Sequence, residues 1–509
     1  MSASPVASSA AWTPSRVRCT RASPARAWRC PARRLDRRGR VARASDAADG
    51  SASYRDLLDA KVARTRELFG DLLPPEGLEV YASPRTRGFR QRCRFAVVRE
   101  GASGAGDVSP RVEAPSSVGS GNLRYALFER GRVVVLDARD ANAFGAASRA
   151  IAELMPRVLD ALNDLDKRED ASGSARDPSP LTENLSAVGF LSNRAGDVIV
   201  TLWNGTKRGT KRTKRTKRDS DERWDERWET AAIAFRESLE PYGVKGVVSR
   251  RRRKTLANGA DRVWEETAVP SFSSLMIPKN DDRDDASSVD TLRLSMVEGA
   301  FSNPNADVAE ITAAWLRETA IRALAEREDE DETPRREGKR KKEKKKRKPS
   351  LTELYCGNGT HAVNLARAFH AVTAVEIEPR LCAAAEENFA ANGVTNARVQ
   401  ATPAETFSAR RSASGDDDDD DAETNETETA DDFILVDPPR AGLDPVTLSL
   451  VRRYRTIVYI ACDSRSLVRD LRERKLSQTH ELKRAAVFDH FPYSEFCEVV
   501  VWAERRREK

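Results

Sequence analysis

Leu351-Thr352-Glu353-Leu354-Tyr355-Cys356-Gly357-Asn358-Gly359 is a short apolar run that breaks on two glycines. The spacing predicts a strand over 351–355 and a helix over 360–369, with the glycines between them. Glycines at that junction let the backbone approach a ligand closely at the carboxyl end of a strand. The same rhythm continues downstream. Strands are expected at 372–376, 397–400, 433–437, 456–461, 481–488 and 497–503, and helices at 380–391, 445–453 and 464–474. Alternation of this kind reads as a parallel, doubly wound α/β sheet of Rossmann-like type. The last two strands are separated only by 489–496, so they should form an antiparallel hairpin at one sheet edge.

Three short motifs on this frame carry chemistry. Glu376 ends the second strand, seventeen residues after Gly359, where a carboxylate can accept hydrogen bonds from both hydroxyls of a ribose. The phosphate-cradling pattern is incomplete, because Ala362 stands in the third glycine's place. A cofactor with a ribose but no pyrophosphate fits, and S-adenosylmethionine has that shape. Asp437-Pro438-Pro439-Arg440 leaves the fourth strand. It reads either as a rigid turn or as a gate for a flat base, with Asp437 able to accept a hydrogen bond from cofactor or substrate. Tyr459-Ile460-Ala461-Cys462-Asp463 ends the fifth strand on a cysteine.

A thiolate there has a specific use. Carbon 5 of uracil is too weak a nucleophile to take a methyl group unaided, and addition of a thiolate at carbon 6 makes it an enolate. A base must then remove the carbon-5 proton so that the cysteine can leave. Arg440, Arg465 and the start of helix 464–474 are the neighbours expected to favour the thiolate of Cys462. Glu498, opening the apolar strand Val499-Val500-Val501-Trp502, is the candidate base, and burial should raise its pKa; Glu495 competes with it.

Upstream, residues 54–300 read as an α+β module of antiparallel strands with covering helices. Apolar spacing predicts helices over 54–70 and about 145–163, the latter kinked or begun by Pro156. Strands are expected at 89–98, 123–128, 133–137, 187–192, 197–203 and 244–249. Arg90, Arg92 and Arg94 alternate along the first of these, beside Phe89 and Phe95, a pattern suited to phosphate contact and base stacking. A solvated strand edge would look the same.

Composition sets the outer bounds. The chain has 509 residues, 39% apolar and 33% charged, enough for two or three domains interrupted by solvated insertions. Residues 206–218 hold eight basic residues and no acid, 335–348 hold eleven basic residues, and 416–432 hold eleven acids and no base. These runs read as surface loops, and the basic ones can add non-specific attraction to phosphate. Residues 1–45 contain eleven arginines and one acid, so the net charge of +7 becomes −3 once that leader's +10 is removed. A basic isoelectric point is therefore poor evidence for nucleic acid here. The leader resembles a transit peptide, implying a chloroplast or mitochondrial location. No 18-residue apolar stretch occurs, which argues against a membrane helix, and the seven scattered cysteines form no CxxC pair, so no metal site is indicated.

Taken in order, these motifs resemble the tRNA (uracil-5-)-methyltransferases. The resemblance runs from about Tyr54 to Trp502 and rests on 353–359, on Val436-Asp-Pro-Pro-Arg-Ala-Gly-Leu-Asp444, on 459–462 and on Phe488-Asp-His-Phe-Pro-Tyr493. It implies a class I methyltransferase domain over 301–509, with charged insertions at 326–348 and 413–432, preceded by an RNA-binding region over 54–300. It implies S-adenosyl-L-methionine as cofactor and a uridine of the tRNA T arm, position 54 in the T loop, as target. Cys462 takes the nucleophile's place and Glu498, not Glu495, the proton acceptor's; Asn303, Tyr355, Thr360, Glu376 and Asp437 take the cofactor contacts. Asn303 stands where these enzymes usually have glutamine, and Thr360 where they often have asparagine. A monomer is the family's default. The target must be extruded from its loop, at a cost of a few kcal/mol. Methylation of ribosomal RNA by the same chemistry, and a tRNA-folding role with incidental methylation, are the rival expectations. Ribosomal-RNA relatives usually add a β-barrel domain and iron–sulfur cysteines, and neither is seen in this sequence.

Overall fold

The computed structural model describes residues 53–100, 121–129, 132–140, 143–167, 179–205, 214–251, 254–276, 288–332, 349–413 and 432–506. The leader, the whole 335–348 run, residues 206–213 of the first basic run and all of the acidic run but Asp432 lie outside the described residues.

The chain enters through α1 (Tyr54–Phe69), whose start is fixed by a reciprocal cap. Ser53 Oγ accepts from the Asp56 amide, and the Asp56 carboxylate accepts from the Ser53 amide. A short strand, β1 (Leu78–Tyr81), follows. Next come β2 (Arg92–Arg99), β3 (Leu123–Glu129), β4 (Arg132–Leu136), α2 (Arg149–Asp166), β5 (Leu185–Ser192) and β6 (Val198–Asn204). The long α3 (Lys214–Leu239), β7 (Val244–Arg251) and β8 (Lys254–Gly259) complete a seven-stranded sheet in the order β4-β3-β2-β5-β6-β7-β8.

This sheet is antiparallel except where α3 carries the chain across from β6 to a parallel β7. Helices α2 and α3 cover it. Phe95, Tyr125, Phe190 and Trp228 fill the layer between, the first three with rings meeting edge-on or tilted. Helix α2 runs through Pro156, which neither begins it nor ends it. The pairing of Arg90, Arg92 and Arg94 with stacking aromatics needs correction, because Phe89 and Phe95 are both buried in the core. The arginines stack on other rings: Arg92 lies over Phe301 and Arg94 over Trp203.

A bridging hairpin, β9 (Arg262–Pro270) with β10 (Val289–Val297), is followed by the long helix α5 (Ala306–Glu332); a short α4 (Phe272–Met276) lies between the two strands. From Leu351 the α/β alternation holds as expected: β11 (Leu351–Leu354), α6 (Thr360–Leu365), β12 (Val372–Glu376), α7 (Pro379–Ala391), β13 (Ala397–Ala401), α8 (Ala404–Ala413) and β14 (Phe433–Val436). Then come α9 (Pro445–Val451), β15 (Thr456–Ala461), α10 (Ser464–Arg472), α11 (Leu476–Thr479), β16 (His480–Phe488) and β17 (Glu498–Arg505). Every residue of β14 and β15 is buried, as central parallel strands covered on both faces must be.

The strand order of this second sheet is β1-β16-β17-β15-β14-β11-β12-β13. Two differences from the sequence reading follow. The β16–β17 hairpin is not at the edge, because β1 pairs in parallel with β16 and closes that side. The segment from residue 54 through β1 thus belongs structurally with the C-terminal sheet and not with the N-terminal strands. Between β11 and β14 the strand order reverses direction, which opens a crevice at their carboxyl ends.

Candidate active site

Four chain segments converge on that crevice. At the end of β11 the backbone turns through positive φ at Tyr355 (62°), Gly357 (56°) and Gly359 (73°). A side chain on Gly359 would meet the Ala385 methyl at 3.0 Å, so only glycine lets the loop lie against α7. Glu376 holds the loop from the next strand: one oxygen accepts from the Gly357 amide at 3.0 Å, the other from Ile377 and Glu378 at 2.8 Å each. Thr360 donates to Asn358 Oδ1 at 2.8 Å, and Asn358 in turn donates to Ser295 of β10. The Thr360 hydroxyl proton is therefore committed to the loop, and its oxygen is left able to accept. Tyr355 turns its ring toward α9, with its hydroxyl near Thr447.

Glu353 lies in the strand behind the loop, fully buried, and among the described residues neither oxygen accepts a hydrogen bond of ordinary geometry. Burial, and then Asp437, push its pKa well above the usual carboxylate range; the Ala362 amide draws it only slightly back. A glycine cradle, a strand-end carboxylate and an unsatisfied buried acid together suit a polar nucleoside ligand.

The neighbouring strand ends supply the reacting groups. Asp437 follows β14 and Cys462 follows β15. The β15–β17 ladder pairs Ala461 with Val499, so one step further sets Cys462 against Glu498. These three are close enough to perturb one another. Burial, then Asp437 and Glu498, raise the Cys462 thiol pKa, and Arg440 works against them. Arg465, expected to help, instead pairs with Asp463 at 3.1 Å, where Asp463 caps α10. Of the two arginines expected to favour the thiolate, Arg440 acts on the sulfur and Arg465 is taken up by Asp463.

Glu498 also differs from its expectation. Burial does push its pKa up, but the pull of His490, through charge and hydrogen bond, and then of His361 leaves it lowered. His490 Nε2 lies 3.2 Å from Glu498 Oε1. Asp437 goes the other way, raised well above the normal range by burial and then by Glu498. The two carboxyls are thus pushed in opposite directions, Asp437 toward its neutral form and Glu498 toward its ionised form. Asn303 reaches this group through its amide nitrogen, 3.4 Å from His490 Nε2. Glu495 is exposed and lines the same pocket as Cys462; its main-chain carbonyl accepts from Arg64.

Cys462 and Arg440 open on a pocket of about 520 Å³, walled on one side by Arg64, Thr65 and Leu68 of α1 and on the other by Phe496. The Arg440 guanidinium stands 4.9 Å above the Phe496 ring. The sequence reading missed α1, His490 and His361 as parts of this site. The histidines had a usable signal: the chain has only four, and two of them sit beside the candidate base. Among the described residues no cluster of His, Cys, Asp and Glu is arranged to hold a metal, and no helix is long and apolar enough to cross a membrane.

The chain has clear relatives. A family model described as tRNA (Uracil-5-)-methyltransferase matches residues 341–506. A tRNA/tmRNA (uracil-C(5))-methyltransferase of Chromohalobacter salexigens is 31% identical over 462 residues, covering 89% of this chain and 96% of that protein. One of the same description from Pseudomonas paraeruginosa is 31% identical over 459 residues, covering 89% and 98%. Among solved structures, the Pyrococcus abyssi tRNA (uracil-54, C5)-methyltransferase in complex with S-adenosyl-L-homocysteine shares the fold, with TM-score 0.50, 16% identity and 89% of this chain covered. The relatives correct one expectation. They are bacterial proteins, from Chromohalobacter, Pseudomonas, Photobacterium and Idiomarina, and the organellar location inferred from the leader is withdrawn.

Proposed function

Because the chain belongs to the tRNA (uracil-5-)-methyltransferase family, we propose that it methylates carbon 5 of a uridine in the T loop of tRNA, position 54, through a covalent bond to Cys462. It is an S-adenosylmethionine-dependent methyltransferase. Its relatives' names add tmRNA to tRNA as a substrate. The observation that carries the mechanism is the register that sets Cys462 against Glu498 at the carboxyl end of β15, with Asp437 on the adjoining strand.

The cofactor would be held by the glycine loop after β11, with Glu376 toward its ribose and Asn303, Tyr355, Thr360 and Asp437 around the rest; it supplies an electrophilic methyl group. The protein supplies everything else. Cys462 adds to carbon 6 of the extruded uracil, and the ring's electron pair moves to give an enolate that is nucleophilic at carbon 5. Arg440 faces the thiol and favours its ionised form. After methyl transfer Glu498 takes the carbon-5 proton. That C–H pair becomes the carbon 5–carbon 6 double bond, and the thiolate of Cys462 departs.

The seven-stranded module would carry the RNA, with Arg92 and the 70%-exposed Phe301 at its border with the catalytic crevice. The test is nucleoside mass spectrometry of tRNA from cells with and without the protein. Loss of 5-methyluridine from tRNA supports the reading; loss from ribosomal RNA alone contradicts it.

A further inference from the structure

His490 is the buried group the mechanism above does not use, and its surroundings do not suit a plain core histidine. The residue is 0% exposed, yet its Nδ1 has no hydrogen-bond partner among the described residues. Its Nε2 faces Glu498 Oε1 at 3.2 Å and Thr312 Oγ1 at 3.4 Å. Thr312 has already donated its own proton to the Val308 carbonyl, so toward His490 it can only accept. The Asn303 amide nitrogen stands 3.4 Å from the same Nε2 and makes the opposite demand on it, but the carboxylate contact at 3.2 Å is the shorter one and is satisfied when Nε2 carries the hydrogen. The imidazole thus donates to the very carboxylate proposed as base.

The loop bearing it is held firmly. Asp489, the preceding residue, accepts from Lys61 Nζ at 2.7 Å and Tyr54 Oη at 2.8 Å, and Lys61 also donates to the Phe491 carbonyl. Asn305 donates to the carbonyl of His490 itself. Helix α1, which walls the target pocket, therefore also fixes the position of this imidazole.

We propose that His490 is a positioning residue for proton removal: its Nε2–H keeps Glu498 ionised and aimed while the carbon-5 proton is taken. The inference rests on the reading of Glu498 as the base. Glu498 is faced by His490 from the loop after β16, His361 from α6, Asp437 from the end of β14 and Cys462 from the end of β15. In the elimination step the proton passes from carbon 5 to the free oxygen of Glu498. The C–H electrons form the ring double bond, sulfur leaves with the carbon 6–sulfur pair, and His490 keeps its own proton throughout. Water takes the proton from Glu498 once product has left.

The sign of the effect follows. Donation to the ionised carboxylate lowers its pKa, so weakening that donor raises it, and the base then ionises only at higher pH. The test is the pH profile of single-turnover methylation with tRNA, together with trapping of the methylated Cys462–RNA adduct, in the wild type and in His490→Gln. The acid limb should move up by about one pH unit. Adduct should accumulate below that limb and resolve when the pH is raised. His370→Gln, on the surface, should leave the limb in place. If His490→Gln does not fold, His490→Asn, too short to reach Glu498, is read the same way. A folded His490 variant whose acid limb matches wild type, with slower turnover that higher pH does not rescue, overturns the inference while leaving the covalent mechanism standing. A wild type that forms no adduct at all would instead remove the mechanism.

Discussion

Lys61 Nζ and Asp489 Oδ1 are 2.7 Å apart, in side chains 2% and 0% exposed, and they join the first helix to the loop that carries His490 and leads into the candidate base. A pair so deeply buried adds little net stability over an apolar pair of the same size, but removing one partner strands the other's charge. Lys61→Met should cost about 3–5 kcal/mol. Urea denaturation measures this. Lys61→Met combined with Asp489→Leu should recover most of the loss, and a single variant within about 1 kcal/mol of wild type would show that the pair is not buried in solution.

The cofactor loop gives a second prediction. Glu376 accepts three main-chain amides at the Gly357 turn and the end of β12. Hydrogen bonds to a charged group are worth roughly 1.5–3 kcal/mol. Glu376→Gln, which removes the charge and one acceptor oxygen, should weaken S-adenosylhomocysteine binding by about ten- to a hundredfold in calorimetry. Gly359→Ala should weaken it as well, because the loop would have to move off Ala385. Unchanged affinity in both would put the cofactor somewhere other than this loop.

How far the sequence revealed this architecture depended on pattern strength. Strands β14 and β15 were legible because fully buried strands read as short apolar runs between turn residues and helix caps. Strand β1 was not, since four residues, Leu-Glu-Val-Tyr, carry no periodicity and their partner β16 lies some 400 residues away. Strand β8 was missed for a related reason: it alternates half-exposed and exposed positions, so it has no apolar face to detect. At the site, Cys462, Asp437 and Glu376 were visible because each ends a strand. The state of Glu498 was not, because its pKa is set by His490 and His361, which only the fold brings to it.

The thiol yields a pH prediction. Burial, Asp437 and Glu498 all disfavour the thiolate of Cys462, so in the free protein its midpoint lies above the ordinary thiol value. Below that midpoint the sulfur is protonated and slow to alkylate. The rate of iodoacetamide modification, mapped to the Cys462 peptide, should therefore rise only at alkaline pH. Arg440→Met removes the group that favours the anion and should shift the midpoint further up. Glu498→Gln removes a competing negative charge and should shift it down. Shifts of the opposite sign would mean that these groups do not face the sulfur.

Whether Cys462 bonds to the base is the claim on which the rest depends, and tRNA containing 5-fluorouridine tests it directly. Fluorine at carbon 5 cannot leave as a proton does, so the adduct should persist and migrate as a protein–RNA band after denaturation. The account predicts that band in the wild type, mapped by mass spectrometry to Cys462, and neither band nor 5-methyluridine with Cys462→Ala. Methylation that continues at the wild-type rate in Cys462→Ala would contradict it.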